Sequence, residues 1–294
     1  MTSESDAARA AYAEIRTAKD LIGMREKYEQ AGLKYGLNPK VSRKQVTVGN
    51  VSADLLTNEG SGPGVVLYLH GGGYAAGSAR SHGHLAAEIA VLAGADALVL
   101  DYRLMPDHVF PTQLEDALAA YQYLLGTHGS AAEIALVGDS AGGNLVMALL
   151  LAIKRQGLPK PSAAALISPL VDFRAEGESM RTKAEADPII TQRATAGSGL
   201  RYLADRSPDD PEVDILGADL SGLPPLLIQV GASETLLDDS VRLARKAGHD
   251  NVDVTLEIAP EMVHVYQFFF PVSGTARASV ERIGTFLARR LPSS

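Results

Sequence analysis

The sequence predicts an α/β fold in which a mostly parallel sheet is covered by helices, on three observations. Short apolar, β-rich runs alternate with longer stretches of helical spacing; one G-x-S-x-G run falls between a strand and a helix; and an earlier strand ends in three consecutive glycines. In chain order the strands are Val65–His70, Ala97–Asp101, Ile134–Gly138, Ala163–Ile167, Leu226–Val230 and Val252–Ile258. Continuous apolar runs bounded by turns suit strands buried on both faces. The segments between them, Leu85–Ala93, Thr112–Leu125, Asn144–Arg155, Ser240–Ala247 and Ala276–Leu291, carry apolar residues at helical spacing. Gln45–Val48 and Ala53–Leu56 read as an antiparallel hairpin at the sheet edge. Two stretches break the alternation. Ser3 to Ala31 reads as charged amphipathic helix, and residues 173–217 are rich in charge, Pro and Gly, with one helix near Thr191–Leu203. Both are candidates to cover a site rather than to build the sheet.

Composition narrows the function. The 294 residues carry 27 Lys plus Arg against 35 Asp plus Glu, a formal charge of −8, and form no basic cluster of the kind that nucleic-acid backbones require. Nucleic acid is therefore not an expected partner. Absence of cysteine excludes Cys nucleophiles, CxxC redox pairs and Cys-ligated zinc. The N-terminus lacks a signal-peptide profile and the longest strongly apolar run, Leu145 to Ile153, is well short of the ~20 residues of a membrane helix. A soluble cytoplasmic protein with no membrane association is the default expectation.

Gly138-Asp-Ser140-Ala-Gly142 lies where a strand turns into a helix, the setting of a nucleophile elbow. The serine must occupy a tight turn that lifts its hydroxyl off the sheet, and small residues at −2 and +2 let strand and helix approach. Upstream, His70-Gly71-Gly72-Gly73-Tyr74 lets main-chain N–H groups converge where an oxyanion would develop. A rival reading takes Gly71-x-Gly73-x-x-Ala76 as a dinucleotide fingerprint with Asp101 as the ribose acid, but that aspartate lies 30 residues on (101 − 71) rather than about 20, and Ser140 is left unexplained. A serine nucleophile needs a base and the base an acid, in the order Ser, acid, His. His264 follows the last strand and is placed for the base; the other histidines precede the serine or that strand. For the acid, Glu234 is favoured, with Asp238 and then Asp239 as competitors that also read as helix-start charges. His82 and His84 form an H-x-H pair that reads as a solvated helix start rather than a metal site.

With these residues in view, the chain resembles the hormone-sensitive-lipase-like family of α/β-hydrolases, the bacterial carboxylesterases. The resemblance runs from about Gly64 to the C-terminal helix and rests on HGGGY at 70–74, DYRLMPDHVFP at 101–111, GDSAGG at 138–143, SPLVD at 168–172, DP at 187–188, VGASETLLDD and MVHV. It implies an α/β-hydrolase fold as a single domain, with a catalytic core at 45–172 and 218–294 and a helical cap at 1–40 and 173–217. It also implies Ser140 as nucleophile, His264 as base, and an oxyanion hole from the N–H groups of Gly72, Gly73 and Ala141, with no cofactor and no metal. Many relatives carry Asp where this chain has Glu234, so the longer side chain should reach His264 only if the loop or the imidazole shifts. Met105 and Asp107 replace commoner residues in a segment read as structural, with Asp101, Arg103 and Asp107 as a charge network. The expected activity is hydrolysis of small, fairly apolar esters or lactones, the latter because the Glu-bearing branch also resembles ε-lactone hydrolases. A noncatalytic small-ligand receptor on the same fold and a nicotinamide-dependent oxidoreductase are the alternatives. The exposed last strand and the family's habits leave room for a homodimer.

Overall fold

A computed structural model describes residues 4–292. Its N-terminal segment forms two helices, α1 (Asp6–Ile15) and α2 (Leu21–Leu33), where the sequence suggested one; the expected start at Ser3 lies outside the described residues. The break falls at Asp20, whose side chain accepts from Gly23 N and so opens a new helix. The strands and helices then alternate as β1 (Val41–Val48), β2 (Val51–Asn58), β3 (Val65–Leu69), α3 (Ala79–Ala93), β4 (Asp96–Leu100), α4 (Thr112–His128), β5 (Ile134–Asp139), α5 (Ala141–Arg155) and β6 (Ala163–Ile167). After them come the one-turn α6 (Ser179–Thr182), α7 (Gln192–Leu203), β7 (Leu226–Gly231), α8 (Leu237–His249), β8 (Val254–Ala259) and α9 (Gly274–Ala288).

The eight strands make one sheet in the order β1-β2-β4-β3-β5-β6-β7-β8. β1 pairs antiparallel with β2, and β2 antiparallel with β4; the remaining pairings are parallel. Period-2 alternation divides each central strand between two cores. Leu67 and Leu69 of β3 face the layer formed by α4, α5 and α8, while Val66 and Tyr68 face α3 and α9. The edge hairpin is longer than its apolar residues suggested because β1 is mostly exposed on both faces and its polar residues gave no strand signal. α3 begins six residues before the apolar pattern does, since Ser78 and Ser81 close a reciprocal capping box at its start.

The two segments outside the alternation meet each other. Arg9 donates to Ala186 O at 2.9 Å and Arg16 to Pro188 O at 3.1 Å. The N-terminal segment also reaches the loops that leave the strands' C-terminal ends: Arg25 of α2 donates to Ala75 O and Met105 O, and the Tyr12 hydroxyl donates to His264 O at 2.8 Å. α2 lies so close on α3 that a Cβ at Gly32 would fall 1.8 Å from Ser81 O. Only glycine permits that approach. Gly32→Val is accordingly expected to lower stability by about 1–3 kcal/mol and to speed limited proteolysis within α1 and α2 before the sheet is cut. An unchanged cleavage pattern would show that contact with α3 does not hold α2 in place.

Candidate active site

Ser140 stands between β5 and α5 at φ 54°, ψ −119°, a conformation that costs a non-glycine residue about 1–3 kcal/mol. Its surroundings hold it there. Ser140 N donates to Ile167 O at 2.8 Å, and its carbonyl accepts from Leu170 N at 3.1 Å and from Asn144 N at 3.2 Å. A Cβ on Gly138 would lie 2.4 Å from Gly142 O, and one on Gly142 would lie 2.0 Å from Leu69 O. The small residues expected on either side of the serine therefore let β5, α5 and β3 converge on one point.

His264 follows β8, and its Nε2 lies 2.9 Å from Ser140 Oγ while its Nδ1 lies 2.7 Å from Glu234 Oε2. All three side chains are nearly buried. With Nδ1–H donating to the carboxylate, Nε2 is left to accept from the serine hydroxyl. Burial alone would lower the His264 pKa, but the Glu234 hydrogen bond and charge, helped by Asp187 and Asp139, raise it above the ordinary histidine value. The other oxygen of Glu234, Oε1, accepts from Gly231 N at 2.6 Å and from Ser168 Oγ at 2.8 Å. Ser168 in turn accepts from Val265 N at 3.2 Å. One serine hydroxyl thus ties the loop that carries Glu234 to the residue next to the imidazole. Ser168 was visible in the sequence only as part of SPLVD; its φ of 45° and full burial mark it structurally.

Asp238 and Asp239 are not beside His264. Asp238 accepts from Ser179 N at 2.8 Å, and Asp239 accepts from Val171 N and Asp172 N. Reading them as helix-start charges is only half right, for both sit in the first turn of α8 yet are spent on fastening residues 171–179 to it. Asp239 is fully buried, which pushes its pKa up to about 7 despite those two donors. Thr235, next to Glu234, donates from N and Oγ1 to Asp187 Oδ2.

Of the three glycines, Gly71 is committed: its N–H donates at 3.0 Å to Asp139 Oδ1, which also accepts from the Tyr68 hydroxyl. Gly72 has φ 112° and no room for a Cβ, which would lie 2.3 Å from Ala76 O. Gly72 and Gly73 border the cavity that opens on Ser140 and His264, and Ala141 is the first residue of α5. That cavity measures about 200 Å³ and is walled by apolar side chains, among them Met24 of α2, Leu170, Phe173, Ile190 and Tyr202 of α7.

Several expectations are corrected. His82 and His84 are buried within α3 rather than solvated: His82 Nε2 is 3.4 Å from Asp139 Oδ2, and His84 Nε2 is 2.8 Å from Phe268 O. Burial pushes the His84 pKa down to about 4 and that of His70 down to about 3, so both stay uncharged near neutral pH. No group of three or more potential metal ligands occurs among the described residues. Arg103 pairs with Asp116 instead of Asp101 or Asp107; Asp107 is exposed, and Asp101 accepts from Ala79 N at the start of α3 and from Ser52.

A fold and site of this kind define a class of protein, and the comparisons agree. The family model described as alpha/beta hydrolase fold matches residues 66–268. The chain belongs to that family, and within it to the group of bacterial hormone-sensitive-lipase-like enzymes. Among curated relatives it is 41% identical over 242 residues to an acetyl-hydrolase of Streptomyces hygroscopicus, covering 82% of this chain and 81% of that one. It is 33% identical over 254 residues to an esterase of Acinetobacter venetianus, covering 85% and 84%. Among solved structures, an esterase of the bacterial hormone-sensitive lipase family superposes with TM-score 0.93 at 38% identity over 99% of this chain and 100% of that one. A hormone-sensitive lipase from a metagenome library does so with TM-score 0.94 at 33% identity over 99% of each.

The backbone strain at position 140 can be isolated by two substitutions that both remove the hydroxyl. Ser140→Gly should be more stable than Ser140→Ala by about 1 kcal/mol, because relief of positive φ exceeds the extra unfolded-state entropy of glycine. Denaturant unfolding of the pair measures the difference, and equal midpoints would mean that the turn is not strained.

Proposed function

We propose that the protein is a serine-dependent hydrolase of small, fairly apolar carboxylic esters or lactones. One observation carries this reading: a continuous hydrogen-bonded chain from Ser140 Oγ through His264 to Glu234, opening on an apolar cavity. The names of the relatives, an acetyl-hydrolase and esterases, support ester hydrolysis. In the proposed reaction His264 Nε2 takes the Ser140 proton as Oγ attacks the carbonyl carbon. The N–H groups of Gly72, Gly73 and Ala141 receive the oxyanion, and His264 then hands the proton to the departing alkoxide. Glu234 holds the imidazole in its productive tautomer and stabilises the imidazolium. A water repeats the sequence on the acyl-enzyme. Segments 1–40 and 173–217 act as the cap, since side chains from both wall the cavity. The sheet supplies the chemistry and the cap the selectivity. A lactone offers the same carbonyl, with the leaving alkoxide still tethered to the acyl group. No described helix is long and apolar enough to cross a membrane, and the outer edge of β8, with Ile258 exposed, is the surface on which a homodimer would pair.

Burst release of p-nitrophenol from the acetate and butyrate esters, abolished by a serine-directed phosphonate, is the expected signature; absence of both the burst and phosphonate labelling would refute the reading. Two predictions refine it. Glu234→Gln should lower kcat by about 10²–10⁴ with KM nearly unchanged, whereas Asp238→Asn, remote from His264, should cost far less. A severe loss in the second beside a mild one in the first would reassign the acid.

The pH profile gives an independent check on the same residue. Neutral imidazole is the active form, and its pKa is raised by Glu234, so kcat/KM should fall as pH drops through a value above 6.5. Glu234→Gln removes the main cause of that rise, and the acidic limb should move to lower pH. A limb that stays in place would show that Glu234 does not set the protonation of His264.

A further inference from the structure

A second, much smaller cavity reaches the same serine and histidine from the side of the N-terminal helices. It is bordered by Tyr12 and Ile15 of α1, Tyr28 and Ala31 of α2, and by His82, Asp139, Gly72, Ser140 and His264. About 20 Å³ is open there to the centre of a water molecule, room for roughly one, since a single water needs about 10–15 Å³ by this measure. The substrate cavity is ten times larger. Tyr28, Gly72, Ser140 and His264 border both, so the two spaces meet at the reacting pair.

We propose that this small cavity seats the hydrolytic water of the deacylation step and that the Tyr28 hydroxyl holds it there. The inference rests on the ester-hydrolase reading given above. An ordered water requires two to four polar partners, and the bordering residues carry them: Tyr28 a hydroxyl, Asp139 a carboxylate, His82 and His264 imidazoles, and Ser140 a hydroxyl. Tyr12 is already engaged, since its hydroxyl donates to His264 O. Tyr28 has no hydrogen-bond partner of its own among the described residues. Burial and then the charge of Asp139 push its pKa up to about 12, which keeps the phenol protonated and able to donate. The rest of the wall is apolar, with Ile15, Ala31 and Phe269 also bordering an open groove between α1 and α2. Water entering along that groove reaches the acyl-enzyme without crossing the cavity that the acyl group fills. In the step itself the water oxygen bonds to the acyl carbon while its proton passes to His264 Nε2. The bond from that carbon to Ser140 Oγ then breaks, Oγ recovers the proton from Nε2, and the carboxylic acid departs.

The test separates acylation from deacylation. With p-nitrophenyl acetate, Tyr28→Phe should keep the burst rate within about twofold and lower the steady-state rate about tenfold, with KM falling in parallel as the acyl-enzyme accumulates. Ala31→Leu, which fills the cavity and leaves every polar group in place, should give the same split. Methanol, which competes with water for the acyl-enzyme, should accelerate turnover of Tyr28→Phe more than that of the unsubstituted protein, because the variant's deacylation by water is the slower of the two. Loss of burst and steady state to the same degree in both variants, or no change in either, would overturn the proposal. If the unsubstituted protein shows neither burst nor phosphonate labelling, the hydrolase reading itself fails and takes this one with it.

Discussion

The contact on which the rest of the site depends is the near-collision of three backbones at Gly138, Gly142 and Leu69. A strand, the helix that follows it and the neighbouring strand come closer there than any side chain would permit. That approach places Ser140 on a left-handed turn and presents its oxygen at the sheet's C-terminal edge. It also brings the turn after β3 against the same point, because Gly71 N and the Tyr68 hydroxyl both donate to Asp139, the residue before the serine. The carboxylate is buried, which would raise its pKa, yet His82 and the tyrosine hydrogen bond hold it below the usual range. One anion therefore sets the distance between the serine turn and the glycine turn. A neutral side chain at 139 would not fix that distance as firmly, since hydrogen bonds to charged groups contribute about 1.5–3 kcal/mol against about 1 for neutral ones.

The loop after β7 is the second organiser. Within six residues it directs Glu234 to His264, Thr235 to Asp187, and Asp238 and Asp239 to the backbone of residues 171–179. The same short stretch thus orients the imidazole and anchors the start of the segment that roofs the cavity. Displacement of that segment would pull on the loop that carries Glu234. The buried carboxyl of Asp239 adds a dependence on pH: its folded pKa lies above the ordinary aspartate value, so the folded state retains that proton between about pH 4 and 7 and this group's contribution to stability declines as pH rises through that window.

Much of the sheet was legible because its strands are buried on both faces and so carry unbroken apolar runs. β6 begins and ends where its residues suggest, and β3, β4, β5, β7 and β8 differ by one or two residues. The edge hairpin was short-read for the opposite reason, since an exposed strand carries no such run. That Ser140, His264 and Glu234 would lie together was suggested by the glycines around the first, the chain position of the second and the loop that carries the third, while only the fold places Asp238 and Asp239 apart from them. Ser168 could not be singled out, because a serine that braces a carboxylate looks like any other serine until the fold brings positions 168, 231, 234 and 265 together. The histidines of α3 were misjudged for a similar reason: a polar residue can be buried wherever a distant carboxylate or carbonyl awaits it, and nothing local announces that partner.

The family model covers residues 66–268, so α1 and α2, with β1 and β2, fall outside it, yet Met24 and Tyr28 of α2 wall the large cavity and both helices wall the small one. Ser140, Glu234 and His264 follow strands whose register the hydrogen bonds of the sheet enforce. The N-terminal helices are held by side-chain and packing contacts: Tyr12 to the His264 carbonyl, Arg9 and Arg16 to residues 186 and 188, Arg25 to the carbonyls of Ala75 and Met105, buried Ala8 and Ile15, and the bare backbone of Gly32 against α3. Changes in those helices can reshape what enters the site without disturbing the sheet, because none of their side chains belongs to its hydrogen-bonded ladder. Tyr12 couples the two levels most directly. Its hydroxyl grips the backbone of the proposed base itself, so a shift of α1 large enough to alter the cavity also reaches the imidazole.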